Sequence, residues 1–263
     1  MHADATFLIA AGHEVCQDWA AAGGRPDARW ALLCDGCSGA PRSDFGARLI
    51  GQAAALELDH GHLCGGQIVE RAARHAAMLG LSATCLDATL WAVWQDGERV
   101  RVFGSGDGVL VARRHDGLVE AWAIEHPDAA PAYLSYLVDP ERLATYLSCH
   151  GERVVTHYVD GERASVTETH VAGAPYAMSW AFESERYASV AVMSDGVAAL
   201  RDGDRRPVPI GEALATLMSF KRLRGRFVRR RLRAAIKRGG LDLGDDLSMA
   251  ALAAAPREEE AAA

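Results

Sequence analysis

The chain alternates between two hydrophobic patterns, and each change of period marks a change of element. Thr6–Ala10 and Trp30–Cys34 are unbroken apolar runs of strand length. Between residues 43 and 79 the period lengthens. Phe45, Leu49, Ile50, Ala53 and Leu56 recur at helical spacing behind Ser43, a residue type that caps helix starts. Gln67 to Leu79 is a second helical stretch, framed by Gly65-Gly66 and Gly80. From Ala88 the pattern turns strand-like. Thr89–Trp94, Val100–Gly104, Val109–Arg113 and Val119–Ile124 are separated by Asp96-Gly97, Gly106-Asp107-Gly108 and Asp116-Gly117. Asp-Gly between short apolar runs is a strong hairpin signal, so an antiparallel meander is expected here.

Residues 125–165 show no clear period until Val154–Val159 and Ala164–Thr169, which flank Asp160-Gly161 and predict another hairpin. Tyr187–Met193 reads as a buried strand and Leu247–Leu252 as the last one. Ile210–Phe220 and Phe227–Arg238 read as helices with a break at Gly225. Antiparallel strands with helices in two blocks predict an α+β layered domain. One domain is expected over residues 1–255, and the acidic tail 256–263, with its Glu258–Glu260 run, is expected to be disordered.

Composition narrows the choices. The 263 residues are 49% hydrophobic and 24% charged, ordinary globular values. The formal net charge of −7 argues against a nucleic-acid binder. No run approaches the roughly 18 apolar residues that span a bilayer, and no basic leader precedes the short N-terminal run. Six cysteines without a secretory signal predict reduced thiols and a cytoplasmic protein.

The chemistry is carried by aspartates. Gln17-Asp18, Asp35-Gly36, Ser194-Asp195-Gly196 and Gly244-Asp245-Asp246 are spread along the chain. The last three each follow or open a predicted strand. Carboxylates gathered at the ends of buried strands repel one another unless a cation joins them. Oxygen ligands suit Mg²⁺ or Mn²⁺, and paired ions of this kind cleave phosphoesters. Taken singly, Asp-Gly is more often a turn than a ligand.

Order and flavour together are more specific. Gly12-His13-x-x-Cys16-Gln17-Asp18, then Asp35-Gly36-x-Ser38-Gly39 and Ser43-Asp44-x-Gly46-Ala47, resemble the bacterial branch of the metal-dependent protein phosphatases, the phosphatase 2C family. The resemblance runs from residue 12 to residue 252. It implies a sandwich of two antiparallel β-sheets flanked by helices. It also implies hydrolysis of phosphoserine and phosphothreonine by a water bridging two Mn²⁺ or Mg²⁺ ions. Asp18, Asp35, the Gly36 carbonyl, Asp195 and Asp245 would hold those ions. Asp107, in Gly106-Asp107-Gly108, would be an outer or third-ion ligand. The implied partners are a phosphorylated protein and a serine/threonine kinase encoded nearby; the sequence leaves the oligomeric state open, with a monomer favoured.

Two positions depart from the family pattern. An arginine that grips the phosphate is replaced by His13, and the histidine after Asp-Gly is replaced by Cys37. His13 is a candidate for either lost role, because an imidazolium donates a hydrogen bond or a proton near neutral pH. Arg42 is a second candidate for the phosphate grip through its planar fork of donors. Both read equally well as solvated loop residues. The departures also motivate a rival function, a catalytically silent module that binds a phosphoprotein or regulates a kinase.

Cys34-x-x-Cys37 with His60, His62 and Cys64 has some likeness to a zinc site, but no second Cys-x-x-Cys completes it. Residues 221–238 hold ten of the 28 lysines and arginines. Leu223, Phe227, Val228, Leu232 and Ile236 keep helical spacing among them, so an amphipathic helix with a basic face is expected. Docking of an acidic partner, a phosphorylated substrate or nucleic acid is the functional alternative.

Overall fold

The computed structural model describes residues 1–127, 130–149, 151–171 and 176–254. The acidic tail lies outside them. The first half contains strands β1 (His2–Leu8), β2 (Asp18–Arg25) and β3 (Ala28–Asp35), then helices α1 (Ser43–Asp59) and α2 (Gly65–Met78). Strands β4 (Leu90–Asp96), β5 (Arg99–Ser105), β6 (Gly108–Arg114) and β7 (Val119–Glu125) follow, then α3 (Pro140–Leu147). Next come β8 (Glu152–Val159), β9 (Glu162–His170), β10 (Met178–Glu183) and β11 (Tyr187–Met193). The chain closes with β12 (Leu200–Arg201), α4 (Ile210–Leu217), α5 (Phe227–Gly239), β13 (Asp242–Leu243) and β14 (Leu247–Ala253).

Two antiparallel sheets stack on each other. One has the order β1-β14-β11-β6-β7-β8-β9, the other β10-β5-β4-β3-β2. Between them lies a core that includes Leu33, Trp91, Val102, Leu110, Val192 and Leu252. Outside the five-stranded sheet, α1 and α2 bury Leu32, Ile50, Ile68 and Leu86. Outside the seven-stranded sheet, α4 and α5 bury Ala191, Met193, Leu214 and Leu232. The layering accounts for the unbroken apolar run of β3, whereas in the Thr6–Ala10 run Phe7 and Ile9 are exposed. In β3, Ala31 and Leu33 face the opposing sheet while Trp30, Leu32 and Cys34 face the helices. With both faces covered, no position is left for alternation. The expected layered α+β sandwich is the one found, and no helix of the described residues is long and apolar enough to cross a membrane.

Three local expectations change. The meander is interrupted: β4 and β5 belong to one sheet, β6 and β7 to the other. Residues 106–107 therefore cross between sheets instead of closing a hairpin. Helix α1 buries Ser43, Gly46, Ala47, Ile50, Gly51 and Ala54, while Phe45 and Leu56 are each 45% exposed. Close approach selects the small residues. A Cβ on Gly46 would stand 1.7 Å from the Cys85 carbonyl oxygen, and one on Gly51 2.3 Å from the Trp19 ring. Ser43 is the first helical residue, with Arg42 in the cap position at φ 61°. Its hydroxyl accepts a hydrogen bond from Gln17 Nε2 at 2.9 Å.

Candidate metal centre

Strand ends bring the acids together. Asp18 opens β2, Asp35 ends β3, and the two are register partners. Asp195 follows β11 after Ser194. Asp245 and Asp246 directly precede β14, which pairs with β11. Asp107 sits in the crossing from β5 to β6. A cavity of about 200 Å³ is lined by Asp35, Gly36, Asp107, Asp195, Asp245 and Asp246, with Cys37 and Tyr133 beside them. Asp18 lies behind it, 1% exposed.

The carboxylates share one field. Burial raises the pKa of Asp35 well above the carboxylate range, and the charges of Asp18 and Asp195 on either side add to the effect. Asp18 is pushed up to about 6, chiefly by burial. Asp107 is pushed up to about 7 by burial and then by the charge of Asp195. Asp195 is raised by burial, with Asp245 adding repulsion. Removing like charges from water without a counterion has this consequence.

Neutral groups hold the acids in place. Ser194 Oγ donates to Asp18 Oδ2 at 2.9 Å and accepts from the Ser248 amide at 2.9 Å. The amide of Asp35 donates to Thr89 Oγ1 at 3.1 Å. Asp18 Oδ1 is buried with no hydrogen-bond partner. An orphaned carboxylate oxygen is costly. The donors around it are all oxygens from rigid strand ends, a set that fits hard divalent cations. Gly36 has a packing reason as well, since a Cβ there would meet the Ser43 carbonyl oxygen at 2.7 Å. Gly196 is more constrained, its added Cβ falling 1.8 Å from the carbonyl oxygen of Asp246.

The adjacent acids differ sharply. Asp246 Oδ1 accepts from the Ala10 amide at 2.8 Å, and Oδ2 accepts from the Gln17 amide at 2.9 Å. It therefore clamps the loop ahead of Asp18 to the start of β14. Asp245 has a half-exposed side chain that reaches the cavity. His13 spans the pair, with Nδ1 3.0 Å from Asp246 Oδ1 and Nε2 3.8 Å from Asp245 Oδ1. Arg42 is exposed and does not line the cavity. Cys34 is buried against α1, away from Cys37 at the cavity wall.

Some of this was not readable from residues alone. Tyr133 and Pro131 reach the cavity from the segment without period, and no local signal pointed to them. Asp87 joins that segment to the site. It accepts from Ser135 Oγ and from Arg142 Nη2, each at 2.6 Å, while its carbonyl accepts from the Cys37 amide at 2.8 Å.

Fold and site together define a layered α+β sandwich built around an oxygen-donor acid cluster. The chain belongs to the protein phosphatase 2C family, whose profile matches residues 10–237. Asp245 lies just beyond the matched residues. The structure is similar to the catalytic domain of the serine/threonine phosphatase PstP, solved with two manganese ions. That likeness has a TM-score of 0.53 at 20% identity, over 95% of this chain and 96% of that one. PppA of Pseudomonas aeruginosa, a regulatory component of T6SS, is similar at TM-score 0.51 and 18% identity, over 96% and 97% of the two chains. A bacterial serine phosphatase is similar at TM-score 0.54 and 10% identity, over 98% and 99%. No curated protein sequence matches the chain.

Proposed function

We propose that this chain is a metal-dependent serine/threonine phosphoprotein phosphatase that uses two Mn²⁺ or Mg²⁺ ions. One observation carries the reading: Asp18, Asp35, Asp107 and Asp195 converge from separate strand ends on one acidic centre, with Asp18 buried beneath it. Asp18, Asp35, the Gly36 carbonyl, Asp195 and Asp245 would hold the two ions, and Asp107 a third. Bound ions supply neutralising charge and Lewis acidity toward water and the phosphate oxygens.

The protein's own groups bind and orient. Asp35 is the carboxylate that both Asp18 and Asp195 share. Ser194 fixes the oxygen of Asp18 that faces away from its orphaned partner. Among the described residues lining the cavity there is no lysine, arginine or histidine. Phosphate binding thus depends on the ions more than on a guanidinium. His13 lies outside the cavity lining but is held through Nδ1 by Asp246 with Nε2 toward Asp245, which does line it, and would return a proton to the leaving serine or threonine oxygen. Arg42, outside the cavity, would meet the protein substrate and not its reacting phosphate. Cytoplasmic location suits a phosphoprotein substrate and six free cysteines.

Hydrolysis of a chromogenic phosphate ester with added Mn²⁺ tests the reading. Activity is expected in the native chain and absent from D35N and D195N; turnover persisting in either variant would overturn it. The same lack of a cavity-lining cation favours a second reading, a silent module that binds a phosphoprotein. Calorimetry separates the two, because the module would bind a phosphopeptide with no divalent ion taken up.

A further inference from the structure

The proposed chemistry leaves unused the most basic part of the molecule. Helix α5 and the segment before it enclose a groove of about 570 Å³. Seven cations line it: Lys221, Arg222, Arg230, Arg231, Arg233, Lys237 and Arg238, with Phe220, Phe227 and Ala234 forming an apolar floor. Among the described residues, none of these seven lies within ion-pair distance of a carboxylate. That is unusual in a chain of net charge −7, where acids are plentiful.

Two of the arginines build the groove. Arg230 Nη2 donates to the carbonyls of Arg222 at 2.9 Å and Arg224 at 2.6 Å, tying the entering segment to α5. Arg231 Nε donates to the Thr216 carbonyl and joins α5 to α4. The helix start is fastened from the sheet, where buried Asp4 accepts from the Val228 amide at 2.6 Å. Phe220 and Phe227 meet edge-on with ring centroids 4.9 Å apart. The walls are therefore held before anything binds, and Arg222, Arg233, Lys237 and Arg238 keep their charges free.

The Phe220–Arg222 end of the groove is also far from the acids. A second cavity shares Phe220, Lys221 and Arg222 with it and is lined by Ala253 and Ala254 at the end of β14. Asp245 and Asp246 precede the opposite end of that strand. Six steps at about 3.3 Å separate the two regions by roughly 20 Å.

We propose that this groove is a docking site for an acidic protein segment carrying an apolar anchor residue. The anchor would seat on Phe220 and Phe227, and flanking carboxylates or phosphates would meet Arg222, Arg233, Lys237 and Arg238. Charge complementarity selects an anionic occupant. The apolar floor and the limited, pocket-like volume select a side chain over a nucleic-acid backbone, which a continuous basic track would suit better. The site steers and holds a partner while its phosphorylated residue is free to reach the acid cluster at the other end of β14.

Fluorescence polarisation with a labelled six-residue peptide, five glutamates around one phenylalanine, tests the proposal on the full chain. Binding is expected, with at least a tenfold loss for R222E/R233E/K237E and for a peptide with glutamine replacing glutamate. The three positions are solvent-facing, so the thermal melt of the variant should stay near that of the native chain. A glycine in place of the phenylalanine should weaken binding separately. Equal binding of the glutamate and glutamine peptides would overturn the proposal. So would tighter binding of a single-stranded oligonucleotide, or unchanged binding in the triple variant. Binding that emerges only when residues 255–263 are removed would also overturn it, by assigning the groove to the chain's own Glu258–Glu260.

Discussion

At one end of β14 four acids lean on one another around a small cavity, from buried Asp18 through half-buried Asp35 and Asp107 to exposed Asp195; at the other, seven cations line a groove open to water. Both regions gather like charge, yet only one carries a large internal cost. Asp18 is 1% exposed, and its pKa is pushed up to about 6. Arg222, Arg233, Lys237 and Arg238 are exposed, where water and salt screen their repulsion. Burial converts a cluster of like charges into a demand for a counterion, whereas exposure leaves it a long-range attractor. The first suits ion binding and chemistry, the second recognition.

The sharpest test removes an acid of the cluster. D195N or D35N is expected to lower Mn²⁺-dependent phosphate-ester hydrolysis by about a thousandfold or more, the several kcal/mol an ion site supplies. Neither change should disturb peptide binding at the groove. A smaller loss follows from loosening the clamp: D246N leaves the ion ligands intact but weakens the anchoring of Ala10, Gln17 and His13. Mn²⁺ affinity, read by calorimetry, should fall by about 10- to 100-fold, the usual effect of an outer-shell partner.

Next comes pH. Asp18 and Asp107 have pKa values raised to about 6 and about 7, so the folded, ion-free protein binds more protons than the unfolded chain between about 4 and 7. Their stabilising contribution is complete below about pH 4 and disappears as pH rises through 7. Each acid tilts stability by about 1.4 kcal/mol per pH unit inside its window. Melts in chelator should therefore show stability falling across that range, and added Mn²⁺ should stabilise most at its upper end, where the protons have left. A flat chelated profile would contradict the burial that chiefly raises these two acids.

The smallest effect belongs to the groove. R233E/K237E should change folding stability by no more than about 0.5 kcal/mol, as exposed substitutions do, while hydrolysis of a small ester remains unchanged. If instead that variant unfolds the protein, the basic face is structural and the contrast between the two ends fails.

How far the chain could be read follows the same physics. β11 and α5 were legible because long apolar runs and strong helical periodicity outweigh their surroundings. β2 was not, because Ala20, Ala21, Ala22, Gly23 and Gly24 carry little strand preference of their own. Packing against α1 and pairing with β3 make that segment a strand. The buried face of α1 departs from the apolar spacing for a related reason: closeness to Cys85 and Trp19 favours glycine and alanine over Phe45 and Leu56.

By itself the sequence determined the element types over most of the chain, the layered α+β class and the aspartate motifs in family order. Those are local properties, written in spacing and residue chemistry. The tertiary structure alone decided that residues 106–107 cross between sheets and carry Asp107 to the acids. It alone committed Asp246 to the backbone while Asp245 stays open, and delivered Tyr133 to the cavity wall. These depend on contacts between residues up to 236 positions apart. Such contacts form only when whole sheets pack, and no local pattern encodes them.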